Sequence, residues 1–442
     1  MRSFRPSTAS LFGSCVRSRT AAILKRLPPT DQPFEEEAIP DYNASHFCQV
    51  TPGDIVGDGR YSIISKLGWG RTSTVWLAKD LQRWRWQPPR YVAIKFNNCD
   101  VDQESIQQER SLLQGISTAD PSHRGFPIVR RIIDSFELTT GRGTHLCLVQ
   151  EPLRETLDIY RRRFSGGCLP IPLLKVYAKV LLVGLDYLHT KCNIIHTADL
   201  KLDNILISFE DESVLNDEAQ QLQHSEFLFK ESPDRRIFQS RNNFGPLRSY
   251  IATPVIADFG LAEKADIGAH PIQPDAYRAP EVLLGWGWSS SADIWNLGHL
   301  IWTLANGVDL FTSIHLTHGT YDAVKHLAQM VAVLGHPTPA LIRQRSQNGW
   351  RWSPAIKNEK GELCDDACSF YGGPFFDPAS CKYIHLDAVP SPQSLHNLAL
   401  FADGEEKTGF VDLMSTMLTW DPAERPRACD LLDHPWLVSS VS

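Results

Sequence analysis

The sequence lacks a disulfide framework, a long uninterrupted apolar run and a large excess of either charge. Its 10 cysteines among 442 residues are scattered singly through apolar surroundings, as at Cys147 and Cys192, which suits reduced core thiols and excludes a small cross-linked scaffold. Cys364, Cys368 and Cys381 lack a fourth partner at zinc-site spacing, so they read as loop residues. The greasiest stretch, Val176 to Leu188, is interrupted by Lys179 and Asp186, and no membrane-spanning helix is predicted from it. Lys and Arg number 44 against 51 Asp and Glu, a net charge of −7 that offers no global attraction to nucleic acid or anionic lipid. Direct partners of those two kinds are not expected. Hydrophobic and charged fractions of 42% and 21% are ordinary for a globular chain and exclude collagen-like, coiled-coil and wholly disordered classes. The length leaves room for more than one domain with a sizeable core.

Acid is missing altogether from residues 1–30, which carry Arg2, Arg5, Arg17, Arg19, Lys25 and Arg26 among many Ser and Thr. That is the composition of a transit segment or of a plain basic tail, and both readings stay open, mitochondrial import with the first. Residues 31–60 reverse the sign, with Asp31, Glu35, Glu36, Glu37, Asp41, Asp54 and Asp58 against Arg60, and read as an extended acidic linker.

Strand patterns begin at Tyr61. Tyr61, Ile63, Ile64 and Leu67 lead into Gly68-Trp69-Gly70, Ser73 to Ala78 returns, Tyr91 to Lys95 forms a third strand, and Leu146 to Gln150 is a short apolar strand. A helix is predicted over Gln103 to Gln114. Beyond residue 155 the periodicity turns helical, first in Pro172 to His189, where Leu173, Tyr177, Val180, Leu181, Leu185 and Leu188 recur, then in Ala292 to Asn306, Tyr321 to Leu334 and Gly409 to Leu418. A β-rich part followed by an α-rich part argues for an α+β protein with two lobes.

Gly68-x-Gly70 between two strands suits a backbone that must approach phosphate oxygens, because a side chain there would stand in the way. Ser73 occupies the place of a third glycine. Lys95 ends an apolar strand, where an ammonium needs a carboxylate or phosphate partner, and Glu109 on the next helix can supply the first. Asp199-Leu200-Lys201-Leu202-Asp203-Asn204 and, later, Asp258-Phe259-Gly260 provide a proton acceptor, oxygen donors for magnesium and a cation for a transferred phosphate. Ala279-Pro280-Glu281, Asp293-Ile294-Trp295 and Arg425 complete the ordered series.

On these residues the chain resembles the eukaryotic protein kinase superfamily over about residues 61–437. Leu67-Gly68-Trp69-Gly70, Ser73-Thr74-Val75-Trp76, Ile195-His196-Thr197, Ile272-Gln273 with Tyr277-Arg278, and Ala292-Asp293-Ile294-Trp295 look like the SR-protein kinase family, particularly its fungal members. The resemblance implies a bilobal kinase fold with an N-lobe over 61–150, a hinge over 151–154 and a C-lobe over 155–437. It implies ATP with Mg2+, transfer to Ser or Thr of protein substrates, Arg/Ser-rich splicing factors among them, a monomer, and residence in cytoplasm and nucleus. Carried over residue by residue, Lys95 would hold the nucleotide's phosphates with Glu109 orienting it, Asp199 would be the catalytic base, Lys201 would steady the γ-phosphate, and Asn204 and Asp258 would hold Mg2+. Leu67, Gly68, Gly70, Val75, Ala93, Gln150, Glu151 and Leu153 would surround the nucleotide. Glu281 with Arg425 would form a buried ion pair, and Asp293 would anchor the catalytic loop.

Three departures accompany the likeness. His196-Thr197-Ala198-Asp199 carries one residue more than the family's His-Thr-Asp, and with the missing third glycine this motivates the alternative of a pseudokinase scaffold. Residues 209–253 form an insertion between the catalytic loop and Asp258 where the family carries a spacer; rich in Glu, Gln, Ser and Asn, it reads as partly disordered and dispensable for folding. The helix at Tyr321 to Leu334 offers only Asp322 and carries Lys325, so an acidic docking surface is weakened. Between Leu261 and Ala276 there is no Ser, Thr or Tyr, and Thr197 stands where loop-phosphorylated kinases place an Arg, so activity without loop phosphorylation is expected.

Overall fold

In the computed structural model of the chain, the described residues are 16–17, 22–28, 31–84, 86–196, 200–222, 225–250, 252–264, 266–347, 349–401 and 404–439. The chain divides into two compact units. The first comprises residues 1–114, 130–155 and 208–252, and the second comprises 115–129, 156–207 and 253–442.

The first unit is built on an antiparallel sheet. Its strands are β1 (Val16–Arg17), β3 (Asp54–Val56), β4 (Tyr61–Gly70), β5 (Ser73–Asp80), β6 (Arg90–Asn97), β7 (Ile132–Thr140) and β8 (Gly143–Gln150), in the order β1-β3-β4-β5-β6-β8-β7; β2 (Ile23–Arg26) belongs to a separate sheet. Tyr61 and Ile63 alternate inward on β4, and they meet Trp76, Val92, Ile94, Phe96 and Val149 in one core. Helix α1 (Gln103–Thr118) follows β6 and runs four residues past its predicted end.

Two sequence expectations are corrected in this unit. Residues 31–60 are not an extended linker: they form short 3-10 turns at Glu35–Ala38 and Ala44–His46 and then β3, with Cys48 and Val50 packed into the core. The cause is that the acidic run carries apolar anchors, and Glu36 is itself fully buried against cations. The insertion is not partly disordered across its described residues either. It forms a helix, Glu212–Leu222, and strands Glu226–Glu231 and Arg236–Phe238, the first of which takes β2 as a parallel neighbour. Leu222, Phe227, Phe229 and Phe238 enter the same core as Trp76, and Val214, Leu215 and Phe244 pack on Leu77 with Leu67 and Ile64. A segment that contributes this much apolar surface is part of the unit rather than a dispensable loop.

The second unit is mainly helical. Helix Ile171–Tyr187 buries Leu174, Tyr177, Leu181 and Leu185, and Gly184 lets it close on its neighbours, since a Cβ there would come within 2.9 Å of Ile128 and Ile256. Despite Lys179 and Asp186, the apolar stretch within Ser165–Cys192 passes for a membrane span by length and composition, but half of its most apolar part is buried inside the protein. Helix Ser291–Asn306 is buried almost all round and ends at Gly307 in the left-handed conformation. Strand Ile205–Ile207 pairs antiparallel with Pro254–Ile256, so the two ends of the insertion leave and re-enter the unit side by side. Cys364 and Cys381 pack in different clusters, beside Trp352 and Trp286 respectively.

Candidate active site

In the first unit, β6 sets Lys95 opposite Val75 of β5 and Leu148 of β8. Its ammonium donates to Glu109 Oε1 at 2.7 Å, with the two side chains 19% and 10% exposed. A largely desolvated charge-assisted pair of this length fixes the lysine tip where a phosphate oxygen can share it. Ala93, two residues earlier, is fully buried and pairs with Gln150, so the floor beside Lys95 and the start of the predicted hinge are hydrogen-bonded neighbours. Gln150 is buried, whereas Glu151 is exposed and accepts from Arg90 at 3.0 Å.

The glycine hairpin joins β4 to β5. A Cβ added at Gly68 would meet nothing within 4 Å, and one at Gly70 would reach only Ser73 Oγ at 3.6 Å, which leaves an open face on the backbone amides. Ladder pairing steps from Lys66↔Trp76 to Gly68↔Val75, so Leu67 is the extra residue of a β-bulge at the root of the hairpin. Leu67 and Val75 are half-buried.

Arg154 closes the expected hinge, and sequence reasoning gave its side chain no partner. Its side chain is fully buried, donates to both carboxylate oxygens of Glu210 at 3.0 Å, and reaches the carbonyl of Gly245 at 2.6 Å and those of Phe244 and Pro246 at 3.3 Å. All of these acceptors belong to the insertion. No pattern links positions 56 residues apart, so the sequence carried no signal for the pair.

In the second unit, Asp199 lies outside the described residues, together with Thr197 and Ala198. Lys201, Asn204 and Asp258 are described. Asn204 ends a 3-10 turn over Leu202–Asn204, donates its backbone N–H to Lys201 O at 3.0 Å and accepts from Ala257 N at 2.9 Å. That bond sets Asn204 beside the residue preceding Asp258. Asp258 is exposed with φ of 63°, a left-handed backbone that Asp tolerates and that Phe259 follows into the core. Phe259 packs on the His196 ring at 5.1 Å. His196 donates its backbone N–H to Asp293 Oδ2 at 2.9 Å, its Nε2 lies 3.0 Å from Ala257 O, and His189 Nε2 is 2.8 Å from the same Asp293 oxygen. One buried carboxylate thus ties the entry of the catalytic loop to helix Ser291–Asn306.

The segment after Asp258 is held by Gln273 and Arg278. Gln273, at φ 69°, donates from Nε2 to Ala292 O at 3.1 Å and to Asn296 Oδ1 at 2.6 Å, and accepts from Ala279 N at 2.7 Å. Arg278 donates to Gln273 O at 2.9 Å and lies over the Tyr321 ring at 4.4 Å. Arg425 makes a bidentate pair with Glu281 at 2.7 and 2.8 Å, both side chains fully buried.

Comparison with known proteins agrees with this geometry. The protein kinase domain family matches residues 61–226 and 247–437, leaving unmatched a stretch that holds all but the first residue of the two insertion strands. A serine/threonine protein kinase of Aspergillus fumigatus is 33% identical over 412 residues, 92% of this chain and 91% of that protein. The serine/threonine-protein kinase SRPK of Physarum polycephalum is 32% identical over 91% of this chain and 92% of its own length, and SRSF protein kinase 3 of Homo sapiens is 39% identical over 40% of this chain and 30% of its own. A crystal structure of a kinase domain superposes with a TM-score of 0.60 at 22% identity, covering 89% of this chain and 100% of that one, and supports the fold alone.

Proposed function

The chain belongs to the protein kinase family as a serine/threonine protein kinase similar to the SR-protein kinases, and from that premise we propose how its residues divide the work. The family uses ATP and Mg2+, and the residues suit both. The open face along Gly68 and Gly70 and the Lys95 ammonium fit phosphate oxygens, and Asn204 with Asp258 offers the hard oxygen donors that magnesium prefers. Magnesium, when bound, shields the negative oxygens of the nucleotide. Lys95, held by Glu109, binds the phosphates. Leu67, Val75 and Ala93 flank the base, and Gln150, Glu151 and Leu153 present the hinge to it. Asp199 accepts the proton of the substrate hydroxyl, and Lys201 steadies the transferred group.

The Lys95–Glu109 pair at 2.7 Å is the observation that carries this reading. Lys95→Met and Asp258→Ala should each cut phosphate transfer by at least roughly a hundredfold while leaving the melting temperature within a few degrees. Near wild-type turnover in either variant would make the assignment wrong.

Protein Ser and Thr are the acceptors, and Arg/Ser-rich splicing factors are the substrates we propose. They would be engaged without an acidic docking helix, because Asp322 spends its carboxylate capping its own helix at Val324 N and Lys325 N. A peptide array in which Arg-Ser repeats rank no higher than other basic peptides would refute this. We further propose that the enzyme is competent as synthesised, since Gln273 and Arg278 hold the activation segment through carbonyls and an amide, without an added phosphate. Protein made in bacteria and treated with phosphatase should retain full activity; loss on dephosphorylation, with return after an upstream kinase, would end that model. For location we propose cytoplasm and nucleus. The reading draws on the likeness to the SR-protein kinases and on β2, where Ile23–Arg26 pairs within a sheet of the first unit. A reporter fused to residues 1–27 should stay diffuse, and a mitochondrial pattern would count against the proposal.

A further inference from the structure

We propose that Glu35, Glu36 and Glu37 form an intramolecular clasp that aims the glycine hairpin, with Glu36 as a positioning residue for nucleotide binding; the inference rests on the kinase reading given above. Each of the three glutamates takes hold of a different residue of the insertion, and two of them also share Lys66. Glu35 accepts from the backbone N–H of Ser240 at 3.0 Å and from its hydroxyl, Glu37 accepts from Lys230 at 2.8 Å, and Glu36, fully buried, accepts from Arg235 Nη2 at 2.6 Å and from the ammonium of Lys66. Ser240, Lys230 and Arg235 all belong to the insertion. Lys66 does not: it sits on β4, its side chain is fully buried, and its ammonium also reaches Glu35 Oε2 at 3.3 Å and Phe238 O at 3.1 Å.

The point of attachment gives the clasp its consequence. Lys66 is the residue at which the β4–β5 ladder breaks step, and the bulge that follows turns the strand into Gly68-Trp69-Gly70. Its backbone is gripped as well, since Lys66 O accepts from Arg241 N at 2.7 Å, and the bulged Leu67 packs with Val214, Leu215 and Phe244. Side chain, carbonyl and next residue are therefore all fixed by the segment 35–37 and the insertion, two residues before the first glycine. β5 is held to β6 as far as Ser73↔Asn97, so the freedom left at the bulge belongs to the β4 side of the turn, and there it is restrained by a buried charge cluster in which loss of Glu36 leaves Arg235 unneutralised in the interior and Lys66 with Glu35 alone. The prediction is that loosening the clasp degrades the hold on the nucleotide while leaving the chemical step nearly as fast.

In the full-length chain, Glu36→Gln should raise the KM for ATP by about tenfold with kcat within about twofold, because misplacement of a binding element costs affinity before it costs chemistry. Glu36→Asp, which keeps the charge, should recover part of that loss. Amide exchange should quicken at residues 62–70 together with 226–240. A KM that stays at the wild-type value while exchange quickens only over 226–240 would overturn the proposal, since the glutamates would then hold the insertion and not the hairpin. Should Glu36→Gln fail to fold, Lys230→Met cuts the Glu37 tie without stranding a fully buried charge and should move KM the same way by about twofold; no change there would equally overturn it. Wild-type protein without turnover at saturating Mg-ATP would condemn the kinase reading instead, and the exchange measurement would still report on the clasp.

Discussion

Arg425 and Glu281 lie wholly out of solvent, and each is tolerable there only because of the other. Arg425→Met should therefore cost about 3–5 kcal/mol by stranding the Glu281 carboxylate, whereas Arg425→Met with Glu281→Leu should recover most of it. Urea denaturation of the two variants decides, and equal losses would mean that the pair's charges matter less than its packing. His299 supplies a different test. Burial, with the Arg425 charge behind it, pushes its imidazole down to about 3, and it packs neutral against Trp295 and Phe311 at 5.4 and 5.0 Å. Since the unfolded chain takes up this proton near pH 6.5 and the folded one does not until about pH 3, stability is full above the upper value and declines as pH falls between them. His299→Leu should flatten that decline in melting temperature measured from pH 7 to pH 5. At this scale the sequence was legible where a short motif names a partner, as in the pairing of Lys95 with Glu109. It was silent on Gln273 as an organiser of its segment, because a glutamine that serves one carbonyl, one amide and one side chain leaves no periodic or compositional trace.

Helices and strands with strong periodicity were readable to within a few residues: β4, β5 and β6, and the helices Ile171–Tyr187 and Ser291–Asn306. β7 went unseen because six of its nine residues are only half-buried, so no alternation of apolar and polar positions marks it. The insertion was misjudged for another reason. Its average composition is polar, yet Phe227 and Phe229 stand two apart on one strand face and Phe238 sets its ring edge-on to Trp76 at 5.8 Å. Averages conceal a few well-placed aromatics. Phe238→Ala should lower stability by about 3–5 kcal/mol, and deletion of residues 212–248 should abolish cooperative unfolding of the first unit. A deletion variant with an unchanged melting curve would show these contacts to be idle.

At the scale of the whole molecule, the division into a β-rich and a helical part follows the switch in hydrophobic period from two to 3.6 residues, which any reader of the sequence can count. The assignment of segments to those parts does not follow it, since residues 22–60 and 208–252 join the first unit through contacts that span the chain. Arg235 and Glu36 are 199 residues apart, and Arg154 and Glu210 are 56 apart. Such distances have a meaning in time. A ribosome adding roughly 5–20 residues per second leaves the N-terminal glutamates waiting some ten to forty seconds for their cationic partners to be made. Through that interval β2 has no neighbour and the first unit's core lacks the phenylalanines that complete it, while the synthesis of the second unit is already under way. This kinase is thus most exposed to misfolding and to chaperones while it is being born, and a stalled nascent chain ending before residue 226 should be far more sensitive to protease over residues 22–50 than one released after residue 252.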